Sequence, residues 1–368
     1  MPVDGPLLVV NAGSSSIKTA VFDPGLKELL RVEATGIGTR GNGCVTAPGV
    51  DGPGELPDHA AALSAILETL EAQGVPATAL SAAAHRVVHG GPTLTRGVRI
   101  TPQVREIIAD CVPLAPLHNP HHLTGIDAIA RAVPGLTQCA SFDTGFHASN
   151  PAVAYRYALP DTPETSGLRR YGFHGLSYGA MVKEWEATTG HPLPPRLLAM
   201  HLGNGASLCA ILDGKSEATT MGFSPLGGLT MGTRVGEIDP GAVLHLARRM
   251  GPDAAEQMLQ ERSGLLGLSG VSADMRRICA DDSAAAQFAR DHFRYWITRQ
   301  SGAMIAAMGG LDAIAFTGGI GENDAEMRNE VLANLAWAGN VPHWVIPAAE
   351  ERHIAGEALT ALEEAPQP

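Results

Sequence analysis

The sequence predicts an α/β fold built from two copies of one unit, and three observations predict it. Apolar strand-like runs alternate with helix-like segments, the pattern of a layered α/β protein. LLVVNAGSSSIKTAVFD (7–23) can be laid on LLAMHLGNGASLCAILD (197–213) at a constant offset of 190, with five of 17 positions identical. Each copy is followed by an apolar strand ending in glycine, SFDTG (141–145) and AFTGG (315–319). An offset of about half the chain is what domain duplication requires.

Taken in order, Leu7–Asn11 reads as a buried strand, GSSS as a turn and Ile17–Asp23 as a second strand. Residues 57–74 read as a helix with Leu63, Ile66, Leu67 and Leu70 on one face and Gly74 as its stop. Ala79–Val88 reads as a strand, residues 101–112 and 119–132 as helices, and Gln138–Phe142 as a strand. Near the C-terminus, 324–335 (DAEMRNEVLANL) reads as a helix, and the EEAPQP tail is expected to fray. The Pro-, Asn- and Ser-rich stretch 148–167 is the best boundary, which gives domains of 1–147 and 148–349, the first completed by 350–368.

Composition narrows the function. With 45% hydrophobic and 17% charged residues the chain has ample core and is not disordered. A net charge of −12 without basic runs argues against a nucleic-acid partner, which needs phosphate neutralisation. The five cysteines are scattered without a CxxC pair, which points to reduced, mostly buried thiols. The first lysine is Lys18 and no run of ~18 apolar residues occurs, so a cytoplasmic protein with no membrane partner is expected. Glycine is abundant, 43 residues, about 12% against an average of ~7%.

Those glycines cluster at candidate phosphate loops. No Walker loop occurs, and GIGTRG (36–41) matches GxGxxG without the helix that must follow it. NAGSSSIK (11–18) instead offers backbone N–H groups, three hydroxyls, an amide and an ammonium on one hairpin turn. HLGNGAS (201–207) echoes it, and FTGGIGEN (316–323) adds a glycine loop before a helix. Arg86 (HRVVHGG) and Arg234 (LTMGTRVGEIDPG) lie among small and apolar residues, where an unpaired guanidinium is costly. Each has either a carboxylate partner or an oxyanion ligand. His118, His174 and His201 sit in turns beside glycine, asparagine or proline, and their spacing supports hydrogen bonding rather than metal ligation. Gly-x-Ser-x-Gly is absent, so a serine-hydrolase reading lacks support.

VVNAGSSSIK, HRVVHGG, LAPLHNP, FDTGFH, RRYGFHG, HLGNGAS, MGFSPLGGLTMGTRVGEIDPG, SGLLGLSGVSADMR and FTGGIGEN occur in the order seen in acetate kinases, and together span most of residues 7–331. The chain resembles that family of acetate, propionate and butyrate kinases. The resemblance implies a duplicated actin-like, ribonuclease-H-like (sugar-kinase-like) fold with an interdomain cleft. It also implies a homodimer and reversible, direct in-line transfer of a phosphoryl group from ATP to acetate, with Mg²⁺ (Mn²⁺ as a substitute). Carried over, Arg86, Arg234, His174, His118 and Asp143 resemble the catalytic set. Arg86, Val88, Leu117, Phe173 and Pro225 resemble the acetate site. Ser14, Lys18, His201, Asn204, Gly205, Asp274, Met275, Arg276, Gly319, Ile320, Gly321 and Asn323 resemble the nucleotide site. Asn11, Ser16 and Glu350 resemble the metal site, with Glu351 as the alternative to Glu350. Propionate or butyrate as substrate, and a nucleotide-binding sensor without turnover, are the competing readings. The sensor reading is motivated by departures from the family pattern. Leu176 and Tyr178 stand where threonine and histidine are common, and Gly227 stands where an acidic residue is usual. The segment from Arg328 to Val345 is also short.

Overall fold

The computed structural model describes residues 4–39 and 41–364. Arg40 of GIGTRG and positions 365–368 of the tail lie outside them. The chain divides into two compact units, Met1–Gly145 with Ala349–Pro368, and Phe146–Ala348.

The first unit carries an eight-stranded sheet. Its strands are β1 (Leu7–Ala12), β2 (Ser16–Phe22), β3 (Glu28–Thr35), β4 (Cys44–Ala47), β5 (Val50–Pro53), β6 (Ala82–Val87), β7 (Val98–Arg99) and β8 (Thr137–Phe142). The order is β5-β4-β3-β2-β1-β6-β8-β7, antiparallel from β1 through β5 and parallel across β1, β6 and β8. Helix α1 (His59–Ala72) starts where the Asp58 carboxylate accepts the Ala61 N–H. It lays Leu63, Ile66 and Leu70 on Leu8, Val10, Ala12, Ile17 and Val21. Burying each such side chain stabilises the unit by about 1.5–3 kcal/mol. Helices α2 (Pro102–Asp110) and α3 (Asn119–Ala132) fill the β6–β8 crossover. The sixth strand begins three residues later than the sequence pattern suggests. Pro76 leads the chain into a 3-10 turn at Ala77–Ala79 first. After GIGTRG, no helix forms before β4.

In the second unit the chain runs through α4 (Ala152–Tyr155) and α5 (Gly175–Thr189) into β9 (Arg196–Leu202), β10 (Ala206–Leu212) and β11 (Lys215–Thr219). Helices α6 (Pro240–Met250), α7 (Pro252–Glu261), α8 (Gly264–Ser269), α9 (Met275–Cys279) and α10 (Ala284–Ala307) precede β12 (Ala313–Thr317). Then come α11 (Gly318–Asn323), α12 (Ala325–Asn334) and β13 (His343–Val345). The glycine segment read as a loop from sequence is therefore the short helix α11. The sheet order is β11-β10-β9-β12-β13, antiparallel on the β10 side and parallel on the β12 side. This repeats β3-β2-β1-β6-β8 of the first unit strand for strand. Tyr178, Met181 and Trp185 of α5 pack on Leu197, Ala199, Cys209 and Ile211. The last helix, α13 (Glu350–Glu363), returns to the first unit and packs on β1, β6 and β8.

The repeat is not quite a constant offset. Ala12 pairs with Ile17 around a four-residue turn, whereas Leu202 pairs with Ala206 around a three-residue turn. A one-residue slip turns every side chain of a strand to the opposite face. The structural counterpart of Lys18 is thus Ser207, not Leu208, and the pair Asn11↔Lys18 corresponds to His201↔Ser207. All five cysteines are free thiols; Cys111, Cys139 and Cys209 are buried. Among the described residues no helix is long and apolar enough to cross a membrane.

Burial holds His85 and His147 near a pKa of about 4. In the unfolded chain they titrate near 6.5. The unfolded state therefore takes up protons first as pH falls, and stability drops between about 6.5 and 4. From pH 7 to pH 5 each histidine should cost about 2 kcal/mol. Denaturant titrations at both pH values measure this. His147→Gln should lower stability at pH 7 yet flatten the fall, and an unchanged slope would count against burial as the cause.

Candidate active site

In the first unit, parallel pairing of β6 with β8 matches Arg86 with Ser141 and Val87 with Phe142. Asp143 therefore emerges one residue beyond β8, its N–H donating to the Val87 carbonyl at 3.0 Å. The Arg86 Nε lies 3.2 Å from both Asp143 carboxylate oxygens, and Nη2 lies 2.7 Å from Oδ2. Asn11 Oδ1 accepts from Nη1 at 3.5 Å. Asp143 is 2% exposed. Burial opposes the Arg86 charge, but Asp143 and Glu350 outweigh it and raise the guanidinium pKa.

Glu350, the first residue of α13, belongs to this group. Burial foremost, then the charges of Asp143 and Glu351, push its carboxyl up to about 7 against the pull of Arg86 and Lys18. Glu351 instead reaches Arg31 at 3.5 Å. Lys18 lies 3.5 Å from Glu33. The buried amide of Asn119 bonds both the N–H and the carbonyl of His89, which pins the HRVVHGG turn carrying Val88 onto α3. Val88 is buried and Leu117 is 46% exposed. His118 caps α3. Buried His122 lies near enough to feel the Arg86 charge, a neighbour the sequence does not signal. Ser14 is exposed and Ser16 half-buried on the β1–β2 turn, which His59 Nε2 holds through the Gly13 carbonyl at 2.7 Å.

In the second unit, His174 adopts left-handed backbone (φ 59°) at the start of α5. Its ring stacks on His201 with centroids 4.1 Å apart. His174 Nδ1 lies 2.9 Å from Ser207 Oγ, and His201 Nδ1 lies 2.8 Å from Ser177 Oγ. Gly205 shows why the turn takes glycine: a Cβ there would sit 3.0 Å from His174 Nε2 and 3.9 Å from Arg234 Nη1. At Gly318 (φ 79°) a Cβ would sit 2.8 Å from the Leu202 carbonyl and 3.2 Å from His201 Nε2. Two imidazoles, a guanidinium and the glycines Gly205 and Gly318 therefore converge. Arg234 Nη1 donates to the Pro225 carbonyl at 3.2 Å. The loop carrying Arg234 is laced to α8 through Leu265 N–H to the Met231 carbonyl at 2.8 Å. Phe173 is buried, and its carbonyl accepts from His147 Nε2 at 2.9 Å.

Beside this cluster is a cavity of about 1080 Å³. Asn204, Asp274, Met275, Arg276, Gly319, Ile320 and Asn323 line it, as the resemblance implies, together with Cys279 and Arg290, which it does not. Gly321 is buried behind the wall. Asp274 accepts the Arg276 N–H at 3.0 Å and pairs with its guanidinium at 2.6 Å. Arg290, 9% exposed, donates to Glu326 at 2.8 Å and to the Cys279 sulfur. Only the helical periodicity of α10 hints at such a residue in the sequence. Glu322 was also missed; its carboxylate accepts the N–H groups of Gly318 and Ala348, each at 3.0 Å. Of the family departures, Tyr178 and Leu176 are buried core, and Gly227 has open space where a side chain would go.

A sequence model of the Acetokinase family matches residues 6–343. The chain belongs to the acetokinase family. An acetate kinase of Deinococcus radiodurans is 42% identical over 347 residues, 90% of this chain and 86% of that protein. The crystal structure of Porphyromonas gingivalis acetate kinase matches with a TM-score of 0.89 at 34% identity, covering 98% of this chain and all of that one. A propionate kinase of Francisella tularensis also matches at 0.89, with 33% identity and coverage of 96% and 98%. The strand-for-strand repeat is accordingly the duplicated actin-like fold of the acetokinase family.

Asp143→Asn removes the countercharge of Arg86 while keeping shape. Since the Arg86 side chain is 23% exposed, the expected cost is on the order of 2 kcal/mol, below that of a fully buried pair. Denaturant unfolding checks it, and a cost below 0.5 kcal/mol, the size of an ordinary surface change, would contradict the pairing argument. Gly205→Ala should leave the melting temperature nearly unchanged but lower kcat at least tenfold, because the new methyl crowds His174 Nε2.

Proposed function

We propose that this acetokinase transfers the γ-phosphoryl group of ATP to acetate, giving acetyl phosphate and ADP, reversibly. The convergence of His174, His201 and Arg234 on the glycine turn at Gly205 supports this most, beside a cavity large enough for a nucleotide. Relatives named acetate kinase over nearly the whole chain supply the acceptor.

The acceptor dictates the chemistry. Acetate is ionised at neutral pH, so its attacking oxygen needs no general base. The protein must hold two anions together and offset charge on a loose phosphoryl group in line with donor and acceptor. Arg86, oriented by Asp143, offers its guanidinium to the carboxylate. Val88, Leu117, Phe173 and Pro225 supply the apolar surface for the methyl group, and His118 is a supporting donor. His174 and Arg234 donate to the equatorial oxygens in flight, and such donors are worth about 10²–10³ each in kcat. Ser14, Lys18, His201 and Asn204 bind the phosphate chain, and the cavity residues Asp274 to Arg276 with Gly319 to Asn323 take the nucleoside.

Among the described residues no three His, Cys, Asp or Glu side chains are grouped to hold a metal by themselves. That suits Mg²⁺, which takes one or two carboxylates, waters and substrate phosphates. Carboxylate and amide oxygens of the kind that Glu350 and Asn11 offer suit a hard cation. Asn11, Ser16 and Glu350 would hold it, and the ion would neutralise phosphate charge. Glu350 is preferred to Glu351, which is committed to Arg31.

ADP release should rise in proportion to acetate, with acyl phosphate trapped as hydroxamate. Arg86→Ala and Arg234→Ala should each lower kcat by about 10²–10³. ADP release independent of acetate would refute the reading, and nucleotide binding without turnover on any short acid would favour the sensor. Propionate should be a poorer substrate rather than an excluded one, by about 1–3 kcal/mol in kcat/KM, and Val88→Ala should narrow the gap.

A further inference from the structure

We propose that Tyr178 and Ser207 form a hydroxyl relay that fixes the proton of His174 on Nε2, making Tyr178 a positioning residue for phosphoryl transfer. Three distances carry this. Tyr178 Oη lies 2.6 Å from Ser207 Oγ, Ser207 Oγ lies 2.9 Å from His174 Nδ1, and the other ring nitrogen is the one facing Gly205. Tyr178 and Ser207 are both fully buried, so water does not offer their protons an alternative.

The direction of the relay follows from the acidity of its members. A phenol is a better donor and a poorer acceptor than an aliphatic hydroxyl, because its lone pair is shared with the ring. Tyr178 therefore donates to Ser207. Ser207 has a single proton, and the partner left for it is His174 Nδ1. A Nδ1 that accepts carries no proton in the neutral ring, which places the proton on Nε2. The opposite tautomer would set the Nδ1 proton, the serine proton and the phenol proton among only two bonds, stranding one polar hydrogen in the core at a cost of about 1–3 kcal/mol.

The arrangement depends on the one-residue register difference between the two hairpins. The shorter turn of the second unit puts Ser207 on the sheet face that α5 covers, opposite His201. Tyr178, one helical turn beyond His174 on α5, then reaches the same hydroxyl. In the first unit the equivalent position is Lys18, so no such relay arises there.

The catalytic use of this tautomer rests on the reading of phosphoryl transfer to acetate, but the tautomer itself does not, and the experiment separates them. Long-range ¹H–¹⁵N correlation spectra of the full chain, with His174 assigned by His174→Gln, report which ring nitrogen is protonated. The native protein should show the Nε2–H form. Ser207→Ala, which removes the donor to Nδ1, should admit the Nδ1–H form and lower kcat by about tenfold with little change in KM. Tyr178→Phe, which keeps that donor but not the phenol that orients it, should keep the Nε2–H form and lower kcat by a smaller factor, and Ser207→Thr, which keeps the hydroxyl, should match the native chain. An Nε2–H signal unchanged in Ser207→Ala would overturn the proposal. A shifted tautomer with undiminished kcat would overturn the positioning role. If the native chain shows the relay tautomer but no acetate-dependent turnover, the functional reading fails and the relay stands.

Discussion

Arg86 and Asp143 sit at the ends of adjacent parallel strands, and each would be costly to bury without the other. The pairing lets a chain of net charge −12 keep a guanidinium beside an apolar wall without a bound ligand. It also constrains what surrounds it. Asn11 must turn its amide oxygen toward Nη1, and Glu350 is buried beside the pair, where burial first and the carboxylates of Asp143 and Glu351 second raise its pKa. His174, His201 and Arg234 are drawn together separately, around Gly205 and Gly318 of the second unit.

Duplication explains why both units place polar residues where they do. The end of β1 and its neighbours carry Asn11, Lys18 and Arg86; the matching positions around β9 carry His201, Ser207 and Thr317. One scaffold position thus serves as a cation or carboxylate-facing group in one copy and as an imidazole–hydroxyl pair in the other. The helices that cover these faces, α13 and α5, start at residues proposed for the site: Glu350 opens one and His174 immediately precedes the other. The strand ends supply the address, and the helix starts supply a second layer of chemistry over it.

Much of this was legible in the sequence, and the rest was hidden for identifiable reasons. Strand alternation, glycine turns and the 7–23/197–213 echo are local, so they show without a structure. The motifs around Arg86, Asp143, His174 and Arg234 carry unusual residue combinations and stand out likewise. The register difference did not show, because an ungapped match scores the same whether or not the turn closes one residue earlier. The α11 helix was masked by its glycines, one of which, Gly318, is needed for close approach to β9. Tyr178, Asn119 and Arg290 act through partners distant in sequence, and Glu322 ties the Gly318 N–H of its own short helix to the distant Ala348 N–H. Glu350 and Glu351 differ only in which way a helix turns them.

In the proposed reaction the phosphoryl group passes directly between two bound anions, with side chains donating hydrogen bonds and charge but never accepting it. The most direct test is the configuration at phosphorus after one turnover, using ATP made chiral at the γ-phosphoryl with oxygen isotopes and acetate as acceptor. A single in-line transfer predicts inversion. Retention, which needs a second transfer through a group such as the His174 imidazole, would contradict it.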